Sequence, residues 1–263
     1  MRKQVSLNET SVGTLARGLD VLGLFADSPG ELSQKEISDA LGLPMPTVHR
    51  LTAVLTERGW LDRDARTRRL RLGLELARLV PALMAGLQLP ELARPHLRRL
   101  ATNAQETVNL AILQGADVVY LLSESGDRLL TSRVTVGLRL PAHCTALGKC
   151  LLAELPDELA RAALGAEPYE RRTDRTLTRW RRLAGELAAI RQAGVAVSEE
   201  EDEIGLVSIA VPVRWIEDPG SAAINVSLPA GRASARFRTE LTRGLRRVAR
   251  AIDEELGVAR SSV

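Results

Sequence analysis

The first third of the chain has apolar residues at intervals of three and four, which is the spacing of amphipathic helices. Between residues 14 and 26 these positions form one stripe, made of Leu15, Leu19, Leu22 and Phe25. A second helix is predicted after Ser33, a candidate N-cap residue whose capping box Glu36 would complete. Gly42 can end that helix and Pro44 cannot continue it, so we expect a tight turn there.

A third helix is predicted from about Pro46 to Arg58. Its apolar face consists of Val48, Leu51, Val54 and Leu55. Gly59 ends it, and two short apolar segments follow at 60–61 and 70–72, with an arginine-rich turn between them. Two short helices followed by a hairpin are typical of a winged helix-turn-helix domain. We assign this domain to residues 13–73 and expect residues 1–12 to be a disordered arm.

The charge of this segment indicates DNA binding. Residues 44–73 hold seven arginines against three acidic residues, and neutralised phosphates release counterions. We expect base edges to be contacted from the third helix, by Pro46, Thr47, His49 and Arg50. We expect phosphates to be held by Ser33, Gln34, Arg66 and Arg68. The residues leave one alternative open, an ordinary helical pair with a solvated basic hairpin.

The pattern changes twice after the predicted wing. Residues 74–89 continue the helical spacing and predict a linker helix, whose surplus apolar residues could pair with a second copy. From residue 90 onward, strand-like runs separated by glycines alternate with helices. The predicted strands are 107–113, 117–123, 129–136, 195–200, 206–213 and 222–228, with a loop at 137–145. Strands joined mostly as hairpins and bracketed by helices indicate an α+β domain with an antiparallel sheet for residues 90–263.

Composition narrows the class of protein. The chain has 263 residues, a formal net charge of +3 and 45% hydrophobic residues, which suffices for a substantial core. The first eight residues are polar and no apolar run approaches the length of a membrane span, so we expect a cytoplasmic protein without a membrane partner. Only two cysteines are present, which fits a reducing compartment.

Catalysis and metal binding are the alternatives that the C-terminal half raises. His143 and Cys144 suggest a thiol nucleophile, but adjacent residues on a strand point to opposite faces. With Cys150 they would supply three metal ligands and no fourth at structural spacing. The acidic run 199–203 is more typical of a solvated loop. We therefore expect buried thiols and predict no enzyme, no bound metal and no cofactor.

Five segments, in this order, resemble the IclR family of bacterial transcription regulators. They are LGLPMPTVHRLTAVLTERGWL, ARPHLRRLATNAQETVNLAIL, RLPAHCTALGKCLLAELP, GLVSIAVPV and SAAINVSLPA. The resemblance covers about residues 14–256. It implies an N-terminal DNA-binding domain, a linker helix and a C-terminal GAF-like domain that binds a small organic effector. It also implies dimers or dimers of dimers on palindromic operators, usually acting as repressors and sometimes as activators.

An effector pocket is expected where a helix begins near Ala146. His143 and Thr145 offer hydrogen bonds there, and a helix N-terminus favours an anion. The resemblance implies a polar floor at Ser198, Ser208, Asn225 and Ser227. It implies walls at Leu129, Ser132, Leu140, Ala146, Leu147 and Leu206. Ser198 stands where some members have an acidic residue and Asn225 where some have serine, so the effector cannot be copied from a relative.

These features together predict a ligand-responsive, DNA-binding transcription regulator, expected to repress genes for the uptake or breakdown of a small organic acid or related metabolite. Its expected partners are palindromic double-stranded DNA, a small effector that is expected to be a carboxylate, and further copies of the chain in a homodimer or dimer of dimers. The alternative is a small-molecule enzyme or sensor whose winged domain is a protein-interaction module.

Overall fold

The computed structural model describes residues 9–28, 30–85, 88–126, 135–213 and 222–257. It divides into two compact units, Met1–Leu87 and Gln88–Val263, and each is described by itself. No helix in these described ranges is both long enough and apolar enough to cross a membrane.

The first unit contains four helices and a two-stranded antiparallel hairpin among its described residues. In chain order they are α1 Glu9–Asp27, α2 Gln34–Leu41, α3 Met45–Glu57, β1 Leu61–Arg63, β2 Leu70–Leu72 and α4 Glu75–Ala85. This order is the predicted winged helix-turn-helix, with α3 in the position of the recognition helix. Helix α1 begins at Glu9, so it includes the last four residues of the segment that we expected to be a disordered arm.

A small apolar core joins α1, α2, α3 and the hairpin. Its buried members are Val21, Phe25, Ile37, Val48, Leu51, Leu61 and Leu70. The predicted stripe of α1 reaches this core only at its C-terminal end, since Leu15 and Leu19 are 64% and 58% exposed. These two leucines line an open apolar groove between α1 and α3.

Local chemistry explains the turn between α2 and α3. The Oγ of Ser33 accepts a hydrogen bond from the N–H of Glu36, and the Glu36 carboxylate accepts one from the N–H of Ser33 at 2.6 Å, which confirms the predicted capping box. Gly42 adopts the left-handed conformation, φ +62°, that ends α2. Pro44 then precedes the first turn of α3.

The second unit is built on a six-stranded antiparallel sheet. Its strands are β3 Thr107–Gln114, β4 Asp117–Glu124, β5 Arg139–Pro141, β6 Ala196–Glu199, β7 Leu206–Val213 and β8 Ala222–Pro229, in the spatial order β5-β4-β3-β8-β7-β6. Its helices are α5 Gln88–Ala104, α6 Ala146–Ala153, α7 Asp157–Leu164, α8 Trp180–Ala193 and α9 Ala235–Glu255. The α+β class is confirmed. The predicted loop 137–145 instead contains strand β5 and a 3₁₀ turn at Ala142–Cys144.

Helix α6 lies at the centre of this unit. It packs on the sheet face that carries Ala111, Ala210 and Ala223, and against α8. All eight of its residues are buried. Gly148 is required for this packing, because a Cβ at that position would lie 2.2 Å from the backbone of Ala142.

Candidate functional site

Helix α3 presents a polar, exposed N-terminal half. Pro46, His49 and Arg50 are exposed and Thr47 is half-buried, while Val48 and Leu51 are buried in the core. The helical spacing of the apolar residues therefore buries one face of α3 and leaves the four predicted base-contacting residues accessible, three of them fully exposed. Their accessibility is what insertion into a major groove requires.

The two residues at the start of α2 that are predicted to contact phosphates also form hydrogen bonds within the domain. The Oγ of Ser33 caps α2. The side-chain amide of Gln34 donates to the Oγ1 of Thr52 at 2.7 Å, and the hydroxyl of the buried Thr52 donates to the carbonyl of Val48. The bond between Gln34 and Thr52 fixes α2 against α3, while Ser33 stabilises the start of α2.

The turn of the wing leaves its two predicted arginines exposed. The carboxylate of Asp64 accepts hydrogen bonds from the N–H groups of Arg66 and Thr67, which shapes the turn. Arg68 follows with a left-handed φ of +61°. Within the described residues neither Arg66 nor Arg68 forms an ion pair, so both guanidinium groups are free for phosphates.

Two further arginines of the hairpin, Arg69 and Arg71, are structural. Arg69 donates to the carbonyl of Glu31 at 2.8 Å and pairs with Glu36 at 2.7 Å, while Arg71 pairs with Asp62 across the hairpin. Hydrogen bonds from the Ser33 backbone and from Arg69 lower the pKa of Glu36 to about 2 from its ordinary value of 4.5. The wing is thereby tied to the N-terminus of α2.

The second unit contains a cavity of about 250 Å³ between the sheet and the N-terminal end of α6. Among the predicted residues, its lining includes Leu140, Thr145, Ala146, Ser198, Leu206, Ser208, Asn225 and Ser227. This volume equals roughly eight water molecules in the liquid. The cavity is therefore of a size for a small organic molecule.

A connected polar network forms the floor. The hydroxyls of Ser208 and Ser227 lie 2.9 Å apart, the amide of Asn225 donates to Ser227 at 3.0 Å, and the amide of Asn109 donates to Asn225 at 2.9 Å. The Oδ1 of Asn109 is buried and has no partner among the described residues. Because hydroxyls rotate, this floor can both donate to and accept from a bound molecule.

The N-terminus of α6 faces the same cavity. Thr145 is its N-cap, and its Oγ1 accepts from the N–H of Gly148 at 3.1 Å. The N–H groups of Ala146 and Leu147 form no hydrogen bond within the described residues. Such free N–H groups, together with the helix dipole, favour an anionic group.

Charged and aromatic residues at the cavity were not predicted. They are Tyr120, Arg172, Asp202 and Glu203, and the aliphatic Leu138 is one further lining residue that the sequence did not predict. The Nε of Arg172 lies 3.1 Å from a carboxylate oxygen of Asp202, and Asp202 is the main cause that raises the pKa of Arg172. The acidic run 199–203 is the sequence signal for Asp202 and Glu203, and the structure places both residues at the cavity and not only in a solvated loop.

Two of the predicted effector contacts, His143 and Leu147, do not line the cavity. The Nε2 of His143 contacts the carbonyl of Glu170 at 2.8 Å and its ring packs on Tyr169, because the 3₁₀ turn directs it away. Leu147 is wholly buried in the core. Leu129 and Ser132 lie outside the described residues.

The two cysteines are buried thiols. Burial, with Asp202 as a second cause for Cys144 and Glu154 for Cys150, raises both pKa values well above the ordinary value of 9.0. Burial also lowers the pKa of His143. Within the described residues no group of three His, Cys, Asp or Glu side chains is arranged to hold a metal ion.

A buried lysine lies one turn further along α6. The Nζ of Lys149 pairs with Glu186 of α8 and with Glu201, and donates to the carbonyl of Val197 at 2.7 Å. The carbonyl of Glu201 in turn accepts from Thr176 at 2.7 Å. These contacts hold the segment that carries Asp202 and Glu203, so Lys149 positions the charged edge of the cavity.

Comparison with known proteins gives a family match for each of the two units of the chain. The IclR helix-turn-helix domain matches residues 14–65, and the bacterial transcriptional regulator IclR C-terminal domain matches residues 82–254. The Pca regulon regulatory protein of Pseudomonas putida is 35% identical over 87% of this chain and 77% of its own length. The transcriptional repressor IclR of Escherichia coli K12 is 28% identical over 84% of this chain and 81% of its own length.

One solved structure bears on the cavity. An IclR homolog from Microbacterium hydrocarbonoxydans, crystallised in complex with 4-hydroxybenzoate, superposes with a TM-score of 0.78 at 27% identity. The alignment covers 94% of this chain and 100% of that chain.

Proposed function

The chain belongs to the IclR family of bacterial transcriptional regulators, and from this premise we propose its function. We propose that it represses genes for the uptake or breakdown of a small organic acid or related metabolite. We propose further that this small molecule controls the binding of the protein to DNA. A DNA-binding regulator acts where the bacterial chromosome is, in the cytoplasm. The repressor role is supported by the 28% identical repressor of Escherichia coli. The observation that carries the proposal is the coexistence of an exposed recognition helix in one unit and a polar-floored cavity in the other.

The DNA-binding part of the proposal has Pro46, Thr47, His49 and Arg50 on base edges, with Arg66 and Arg68 on phosphates. Arg50 is the strongest of the base contacts, because a guanidinium binds guanine through two hydrogen bonds. It is exposed on α3. Ser33 caps α2 and Gln34 fixes α2 against α3, and the proposal keeps the contacts of both residues with phosphates.

The test is binding to duplexes that the purified protein selects from a random pool. Arg50→Ala should weaken binding by about 1–3 kcal/mol, roughly 5- to 150-fold, and should relax the sequence preference. Arg17→Ala, at an exposed arginine of α1, is the matched control. If Arg50→Ala binds the selected duplexes as tightly as the control, the recognition helix is misassigned.

The effector we propose is a small carboxylate with a second polar group. Its carboxylate would lie at the N-terminus of α6, beside the free N–H group of Ala146, and its hydroxyl or carbonyl would contact the floor at Asn225 and Ser227. The apolar walls include Leu140 and Leu206. The 4-hydroxybenzoate complex of the Microbacterium relative has a ligand of this chemical kind.

A thermal-shift screen of hydroxy and keto acids tests the pocket. A true effector at 100 times its Kd should stabilise the protein by about 2.7 kcal/mol. Asn225→Leu should remove this gain, because the amide floor is lost while the side-chain size is kept. Asn103→Leu, on an exposed face of α5, is the control. Equal stabilisation of both variants would contradict the pocket assignment.

We also propose that the working form is a homodimer or a dimer of dimers, with residues 13–73 as the DNA-binding domain, 74–89 as the linker and 90–263 as the effector domain. One recognition helix contacts too few base pairs for useful specificity, so a palindromic operator with two half-sites is expected. The apolar groove of α1 and α3 supports this, since Leu15, Leu19 and Val54 are at least half exposed there. Sedimentation of Leu19→Glu should give a lower mass than the parent.

The alternative function, a small-molecule enzyme with a winged interaction module, has no observation in its favour. Burial raises the pKa of the Cys144 thiol, which disfavours a thiolate nucleophile, and the relatives compared above are regulators.

A further inference from the structure

The exposed side of α9 carries a row of arginines that neither proposed site uses. This arginine row consists of Arg236, Arg243, Arg246, Arg247 and Arg250, with Glu240 as the one acidic member of the groove that they line. All six residues are exposed, while Leu241, Leu245, Ala249 and Ile252 bury the opposite side of the helix. The groove has a volume of about 650 Å³.

Most arginines of this row have no ion-pair partner in the part of the chain that the structure describes. Within the described residues, Arg236, Arg243, Arg247 and Arg250 form no ion pair, and Arg246 donates to the carbonyl of Ala193. The spacing makes the repulsion worse, since Arg243 lies three and four residues before Arg246 and Arg247. Like charges at these spacings repel one another, and a bound polyanion would remove that repulsion.

The row extends beyond α9. Arg247 and Arg99 of α5 line one further depression, and Arg98 is exposed on the same helix. Along α9 alone, the distance from residue 236 to residue 250 is about 21 Å. Duplex DNA carries one phosphate charge per about 1.7 Å of its axis, so a segment of this length presents about twelve charges.

The chemistry of the row distinguishes between possible partners. Its groove is lined only by arginine and glutamate, whereas protein interfaces have an apolar centre and membrane-bound helices have an apolar face. A second copy would bring the same positive charges together. Guanidinium groups match phosphate oxygens through paired hydrogen bonds.

We propose that the arginine row of α9 is a second DNA-binding surface, which contacts the phosphates of duplex DNA without sequence preference. It adds to the winged domain rather than replacing it, and it rests on the chain's binding of duplex DNA. The phosphate contacts would lengthen the DNA segment that one protein covers and would make its affinity depend more steeply on salt.

The experiment measures affinity of the full chain for a long random-sequence duplex between about 50 and 200 mM salt. Each lost phosphate contact reduces the steepness (the absolute slope) of log K against log salt by about 0.9, so R243Q/R247Q/R250Q should make it about 2.7 less steep. The control R179Q/R181Q/R182Q removes the same charge from exposed arginines at the start of α8 and should keep the parent slope. R243K/R247K/R250K should keep most of the slope, because the charges remain.

Several outcomes would overturn the proposal. They are a parent-like slope in the α9 glutamine variant, an equal loss in the α8 control, or an equal loss in the lysine variant. A lower mass of the glutamine variant in sedimentation would assign the row to contacts between copies instead. If the parent itself ignored duplex DNA, the proposed function would fail as well; if it bound and responded to Arg50→Ala, only the second surface would be lost.

Discussion

Replacing Lys149 by methionine tests how the charged edge of the cavity is held in place. The ammonium group is fully buried and contacts two carboxylates, of which Glu201 is 10% exposed and Glu186 33% exposed. Methionine has a similar length and no charge, so it fills the space and leaves Glu201 in an apolar environment without its cation. Breaking a buried pair from one side costs about 3–5 kcal/mol.

We take the lower end, about 3 kcal/mol, because Glu186 keeps contact with water and can hydrate. For a domain of this size each kcal/mol shifts Tm by about 2–4 °C, so calorimetry should show a loss of about 6–12 °C. Glu186→Gln, at the more exposed partner, should cost less than about 1 kcal/mol. The double variant K149M/E201L removes both buried charges and should recover at least about 1 kcal/mol.

The pH dependence gives an independent check. Burial, the largest cause, raises the pKa of Glu201 above its ordinary value of 4.5, and Lys149 opposes that rise. An acid with a raised folded pKa stabilises the fold below its ordinary value and loses that contribution as the pH rises through the folded pKa. Without Lys149 the folded pKa of Glu201 rises further, so the deficit of Lys149→Met should be larger at pH 8 than at pH 5. A cost below about 1 kcal/mol, or no recovery in the double variant, would refute the reasoning.

Three further predictions concern other parts of the chain. Gly148→Ala should destabilise the second unit by about 3 kcal/mol, because the added Cβ would overlap backbone atoms and not a flexible side chain. Gly185→Ala in α8, where a Cβ would meet nothing within 4 Å, should stabilise the unit by about 0.5–1 kcal/mol. The urea midpoints of the two variants measure both effects. The lowered pKa of Glu36 stabilises the first unit above pH 4.5, and that contribution is lost as the pH falls toward about 2. Between pH 5 and pH 3, the urea midpoint of Glu36→Gln should therefore fall less than the midpoints of the parent and of the control Asp39→Asn. A thiol reagent should leave Cys144 and Cys150 unmodified in the folded protein and modify both in urea, since both are buried; reaction of either thiol without denaturant would contradict the burial.

The parts of the fold that local pattern predicted are those whose stabilising contacts are themselves local. The capping box of Ser33 and Glu36 lies within three residues and needed no knowledge of the rest of the chain. The apolar run 206–213 became β7 with the predicted bounds, because a buried central strand has a continuous apolar sequence. By contrast β5 has three residues and lies at the edge of the sheet beside β4, and nothing in its own sequence distinguishes it from a loop.

Among the cavity residues too, local pattern predicted those on regular strands and missed those that long-range contacts bring to the cavity. Asn225 and Ser227 were predicted to share a strand face, and both line the cavity. Arg172 was missed because it lies in an irregular segment between α7 and α8. Hydrogen bonds from Thr173 and Thr176 to the backbone of residues 200–201 bring that segment to the cavity, and such long-range contacts leave no periodic signal. His143 was placed wrongly at the cavity because a 3₁₀ turn rotates side chains differently from the strand or loop that we assumed.

Helix α6 has no solvated side: every one of its eight residues is buried. A change at any of these positions disturbs packing, so the scaffold around a ligand's carboxylate has little freedom to vary. Arg172 and Glu203, by contrast, are exposed enough to be exchanged at small cost to stability. A laboratory evolution experiment that selects for a new inducer should therefore accumulate its substitutions along the rim and leave the central helix as it is.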